Sequence, residues 1–102
     1  MEEERSLSEM LLHVNLQEGF SHDSVVVLVD GRQVFRKQDV STNPSVGLAG
    51  TMKVNTDGDR AEIEIQIVSR NTSDAHEVDL SQTPEVGISL DPDGHPHFSL
   101  PT

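Results

Sequence analysis

The sequence predicts an all-β domain, a small antiparallel β-sandwich of seven or eight strands, and three observations carry that expectation. Apolar and polar residues alternate at period two along most of the chain. Turn dipeptides such as Asp-Gly separate the alternating runs, and no segment shows a helical period. Short strands joined by tight turns imply two packed antiparallel sheets. An immunoglobulin-like strand order is one version, although the cysteine and tryptophan landmarks of that fold are absent. A partly open β-barrel is the alternative.

Residues 1–9 are polar and read as a flexible acidic tail, and residues 10–102 as one domain. Met10, Leu12, Val14 and Leu16 alternate with polar neighbours and predict a half-buried first strand. Residues 19–23 form a turn. The apolar run at residues 25–29 ends at Asp30-Gly31, a strong hairpin signal, and residues 32–37 return as its partner. After a loop at 38–45, Val46, Leu48, Gly50, Met52 and Val54 alternate again. Ala61, Ile63, Ile65 and Ile67 give the cleanest alternation in the chain. Residues 70–75 read as a loop and His76, Val78 and Leu80 as a short strand. Thr83-Pro84 reads as a corner, and Val86, Ile88 and Leu90 as the next strand. Asp91-Pro92-Asp93-Gly94 is a turn, with proline presetting φ and glycine free to be left-handed. Phe98 and Leu100 mark the last strand.

Registers can be tested against the pattern, because a slip of one residue turns every side chain to the other face. A turn at Asp57-Gly58 sets Val54 opposite Ala61 and Met52 opposite Ile63. It also sets Lys53 opposite Glu62, and apolar and polar sets separate cleanly. A three-residue loop at residues 92–94 sets Leu90 opposite Pro96, Ile88 opposite Phe98 and Ser89 opposite His97. Pro96 then suits an edge strand, where a missing N–H costs nothing. Around Asp30-Gly31, Val29 pairs with Arg32, Val27 with Val34 and Val25 with Arg36, and neither face is uniformly apolar. With Val26, Leu28 and Phe35 inward, Val25, Val27, Val29 and Val34 form an outward apolar stripe bordered by Arg32, Arg36 and Lys37. The competing expectation makes residues 25–29 a central strand buried by this domain alone.

Composition restricts the partners. The chain has 102 residues, 18 acidic against 7 basic, for a net charge of −11, a field that repels nucleic-acid backbones and anionic membrane surfaces. Cysteine is absent, which removes disulfides, thiolate metal sites and thiol nucleophiles. Aromatic residues are 3% of the chain, all phenylalanine, which counts against stacking of sugars. The acidic start lacks an apolar leader segment, so a soluble, cytoplasmic protein is expected, or a secreted one if a leader has been removed.

Three sets of residues bear on function. The stripe Val25, Val27, Val29 and Val34, with Arg32 and Arg36, is the expected protein–protein interface. His95 and His97 share one strand face near Asp91, with Asp93 close by, a weak metal site with an incomplete ligand shell. Asn55-Thr56-Asp57-Gly58-Asp59 and the turn at 91–94 resemble calcium loops only in composition and lack the full ligand spacing. No nucleophile motif or phosphate loop is present. The expected function is therefore a non-catalytic protein-interaction or assembly module without cofactor, acting on a protein partner or a second copy. A carbohydrate- or calcium-dependent binding module is the alternative, and a metal-dependent enzyme using His95 and His97 ranks last.

Overall fold

The computed structural model describes residues 9–81 and 84–100. Eight strands follow in order: β1 (Glu9–Leu16), β2 (Asp23–Val29), β3 (Arg32–Val40), β4 (Gly50–Asp57), β5 (Arg60–Ile67), β6 (Thr72–Asp79), β7 (Glu85–Leu90) and β8 (Pro96–Ser99). A single 3₁₀ turn, Val68–Arg70, links β5 to β6. The strands form two four-stranded sheets, ordered β4-β1-β7-β8 and β3-β2-β5-β6. All neighbours are antiparallel except β1 and β7, which run parallel. Among the described residues the two sheets stay separate with open edges, so this sandwich-like arrangement replaces the barrel alternative. Glu9 opens β1, one residue inside the expected tail. The rest of that tail, Thr83 of the expected corner and residues 101–102 lie outside the described residues.

One apolar core draws on both sheets. Leu12, Val14 and Leu16 of β1 meet Val86, Ile88 and Leu90 of β7, while β2 and β5 supply Val25, Val27, Val29, Ala61, Ile63, Ile65 and Ile67. The twelve largest of the fully buried core side chains are under 2% exposed, including all three isoleucines of β5. At about 25 cal/mol per Å² of buried apolar surface, this layer is the main favourable contribution to folding.

Two expected arrangements are corrected. Strands β4 and β5 do not pair: β4 lies against β1, with Val54 opposite Leu12 and Met52 opposite Val14, while β5 lies between β2 and β6. The Asp57-Gly58 turn therefore crosses from one sheet to the other, and Lys53 and Glu62 sit on different sheets. Both strands keep their apolar sides toward the shared core, so an arch separates apolar from polar residues as cleanly as a hairpin does. Face alternation specifies which way a strand faces, not which strand is beside it.

The hairpin at Asp30-Gly31 forms, with φ of 52° and 81° at the two central residues as a type I′ turn requires. Its first pairs, Val29–Arg32 and Leu28–Gln33, match the expected register. A bulge at Val34 then moves the partner strand by one, so that Val27 faces Phe35, Val26 faces Arg36 and Val25 faces Lys37. Val25, Val27 and Val29 are 1%, 0% and 2% exposed and face the core, opposite Ile67, Ile65 and Ile63. They form no outward stripe. The cationic partners on β3 stay exposed because β3 is an edge strand, and long side chains there reach water past the rim of the core.

The last hairpin follows its expected register, with Leu90–Pro96, Ile88–Phe98 and Ser89–His97 paired and Gly94 at φ 85°. Pro96 lies on the edge strand β8. The Leu90 N–H is donated to Glu18 on the far side, so the Leu90–Pro96 pair exchanges no backbone hydrogen bond and the proline nitrogen points off the sheet. Residues 72–75, expected as loop, belong to β6, and the alternation at Val46 and Leu48 is a turn closed by an Asn43–Leu48 bridge, with Val46 65% exposed.

Candidate functional site

The sheet containing β2 and β5 ends in two open edges of opposite charge. Strand β3 carries Arg32, Arg36 and Lys37 against one carboxylate, Asp39. Asp39 is engaged by His22, whose Nδ1 lies 2.5 Å from Oδ1. Arg32, Arg36 and Lys37 are exposed and make no ion pair among the described residues. Lys53 of β4 is likewise exposed without an ion pair among the described residues, so what distinguishes β3 is that three such cations share one strand. Two irregularities bound the stretch, one at Val34 and one between the Val25–Lys37 and Asp23–Val40 pairs, leaving residues 35–37 in regular register. A groove of about 80 Å³ runs beside them, lined by Val26, Arg36, Lys37, Gln38 and Val68. Val68 is 60% exposed there and gives the groove an apolar wall.

At the other edge, β6 carries Asp74, Glu77 and Asp79 and neither lysine nor arginine. Asp74 and Glu77 are exposed. Arg60 approaches Glu77 at 3.4 Å with both side chains well solvated, and Asp79 accepts bonds from the Ser81 N–H and hydroxyl. The edges of the other sheet are not opposed in this way: β4 holds Lys53 and Asp57, and β8 has no acidic residue, lysine or arginine.

A second cluster lies at the loop end of the molecule. Arg70 forks onto Asp23, with Nε 2.9 Å from Oδ1 and Nη2 3.0 Å from Oδ2, and Nη2 also donates to the Gly19 carbonyl at 3.3 Å. The Ser69 hydroxyl and the Ser21 N–H complete the shell of Asp23, each at 2.8 Å. Burial alone would raise the pKa of Asp23, but the hydrogen bonds from Arg70, Ser21 and Ser69 outweigh it and hold the carboxyl below its ordinary value. Gly94 lets the arginine pass: a Cβ there would stand 2.3 Å from Arg70 Cδ. Thr72 Oγ1 donates to the Gly94 carbonyl at 2.6 Å and fixes the β7–β8 turn over the same arginine.

The histidines expected to bind metal stand on that turn. His97 Nε2 is 3.0 Å from Asp91 Oδ2, and His95 Nδ1 is 3.9 Å from Oδ1. Asp91 Oδ1 also accepts the backbone N–H groups of Asp93 and His95, each at 2.9 Å. The hydrogen bond from His97, helped by these amides, lowers the Asp91 pKa to about 2. Ligand atoms of Asp91, Asp93 and His95 fall within 4.8 Å of one another, a set differing from the expected one by Asp93 in place of His97. Both imidazoles are more than 60% exposed, and Asp91 already acts as the cap of its own turn.

The three phenylalanines are drawn into or against the core, Phe20 at 4% exposure and Phe35 and Phe98 packed on its margin, so no well-exposed ring is available for stacking a sugar. Among the described residues no helix is long and apolar enough to cross a membrane. No protein-family model, curated protein or solved structure matches the chain.

Proposed function

We propose that the protein is a non-catalytic interaction module whose docking element is the open edge of β3. The single observation that carries this reading is the set of three exposed cations, unpaired among the described residues, on one edge strand of a chain with net charge −11. An edge strand presents a row of unpaired backbone N–H and C=O groups, a template for an added strand. Side chains along the edge then select the partner, and here they select a strand rich in Asp or Glu. The groove walled by Val26 and Val68 offers a shallow apolar contact beside the same residues. Arg32 and Arg36 of the expected interface thus keep their place in the reading, while the three core valines leave it, and so does Val34, which packs against the same core.

Titration of the ¹⁵N-labelled domain with an eight-residue acidic peptide of alternating Glu and Val tests this. Amide shifts concentrated on residues 35–38, absent with a lysine-containing counterpart, are the expected result. Shifts spread over β4 or β8, or none at millimolar peptide, would contradict it.

A further inference from the structure

We infer that the acidic strand received by β3 is β6 of a second copy of this chain, so that copies assemble head to tail through one continuous sheet. This rests on the docking reading above and names its partner. Three features bear on it: strand direction and charge support it, and the shape of β3 limits it.

The first is strand direction. β2 is antiparallel to β3 and to β5, and β5 is antiparallel to β6. The two edges, β3 and β6, therefore run in opposite directions. Setting one copy beside another, turned by the rotation that sheet twist accumulates across the strands, brings β6 of the first against β3 of the second as an antiparallel pair. Their core-facing sides stay on the same side of the joined sheet. Each new pair leaves another β3 and another β6 open.

The second is charge. Like edges repel, since β3 against β3 sets arginine and lysine together and β6 against β6 sets carboxylates together. Only the unlike pairing brings opposite charges across a ladder. A register with Lys37 opposite Asp74 keeps the faces matched, because Lys37 pairs with core-facing Val25, and Asp74 with core-facing Ile65. The same register sets Arg36 opposite Ala75 and diagonal to Glu77, on the outer face. It also brings Phe35 opposite His76, which already stacks on Phe98 at 5.5 Å.

The third is what limits the contact. The irregularities on either side of residues 35–37 bend β3 away from a long flat pairing. The joint is therefore short, reversible and dependent on its charged pairs. A heterologous contact of this kind does not close on itself, so it gives a ladder of species and not a fixed dimer.

Sedimentation velocity on the untagged chain and charge variants, at physiological ionic strength and with circular dichroism as the fold control, tests the inference. The unaltered chain is expected to show a concentration-dependent ladder. R36E/K37E and D74K/E77K, each folded, are expected to weaken association roughly ten- to hundredfold, since several charged pairs turn repulsive. The fourfold variant R36E/K37E/D74K/E77K restores opposite edges with the signs exchanged and is expected to regain the ladder. A wild-type chain that stays monomeric at high concentration, a closed dimer with no larger species, or a folded fourfold variant that does not regain association would each overturn it. If the chain is monomeric but β3 still binds the acidic peptide, the docking reading stands and only the choice of partner fails. If both fail, so does the docking reading.

Discussion

Arg70 joins three segments that are remote in sequence: the start of β2 through Asp23, the β1–β2 connection through the Gly19 carbonyl, and the β7–β8 turn through its passage over Gly94. Asp23 is 3% exposed at its side chain, so removing the guanidinium leaves a buried carboxylate with only hydroxyl and amide partners. Arg70→Ala is expected to cost about 1–3 kcal/mol, read from urea denaturation near neutral pH, the arginine's partial exposure keeping the figure below that of a fully buried pair. An unchanged midpoint would show that the fork contributes nothing. Acid should act on the same end of the molecule. Asp23 and Asp91 both have folded pKa values below their ordinary 3.8, Asp91 near 2. A carboxylate held down in this way stabilises the fold fully above its unfolded pKa and loses that contribution as pH falls through the folded value. Stability is therefore expected to decline between about pH 4 and pH 2, and Asp91→Asn to make the decline shallower. A slope over that interval unaffected by Asp91→Asn would contradict the assignment.

Among the elements, β2 is the most deeply buried against its neighbour β5. Its inner residues Val25, Val27 and Val29 lie against Ile67, Ile65 and Ile63, and Val27 is completely buried. Val27→Glu places an unpaired carboxylate in that layer and is expected to unfold the domain, a loss of about 4 kcal/mol or more. A folded Val27→Glu variant, judged by circular dichroism and amide dispersion, would return these valines to the surface. The strands themselves were largely legible in the sequence, because period-two alternation reports burial on one face. The register of the last hairpin was legible, since Pro92, Gly94 and Pro96 restrict its loop and its edge, but the strand ends at Ser99 and the expected Val86–Leu100 pair does not form. Partner choice was not. The β4–β5 crossing satisfied the same face pattern as a hairpin, and the bulge at Val34 leaves no mark in composition. The inward side of β2 could have been found by matching its valines to the three isoleucines of β5, whose outer neighbours are Glu62, Glu64 and Gln66. The first half of β6 leaves no trace in the sequence, because its edge position leaves residues 73–77 exposed, where alternation carries no signal. Of the expected interface, the cations were readable as a cluster, but their location at a sheet edge required the strand order.

At the scale of the whole molecule, two sheets leave four open edges, and charge distinguishes two of them. β3 concentrates unpaired cations, β6 concentrates carboxylates, and the strand order makes them antiparallel ends of the same sheet. The net charge of −11 opposes any approach of two copies at long range. With a screening length of about 8 Å at physiological salt, the short-range pairs across an edge decide the outcome once the strands are close. Amide hydrogen exchange as a function of protein concentration measures this most directly, because an edge strand gains protection only where another strand is added. On concentrating the protein, exchange is expected to slow over residues 35–38 of β3 and residues 73–77 of β6 and to stay unchanged along β4 and β8. Protection gained along β4 or β8, or no gain on either β3 or β6 at any concentration, would contradict it.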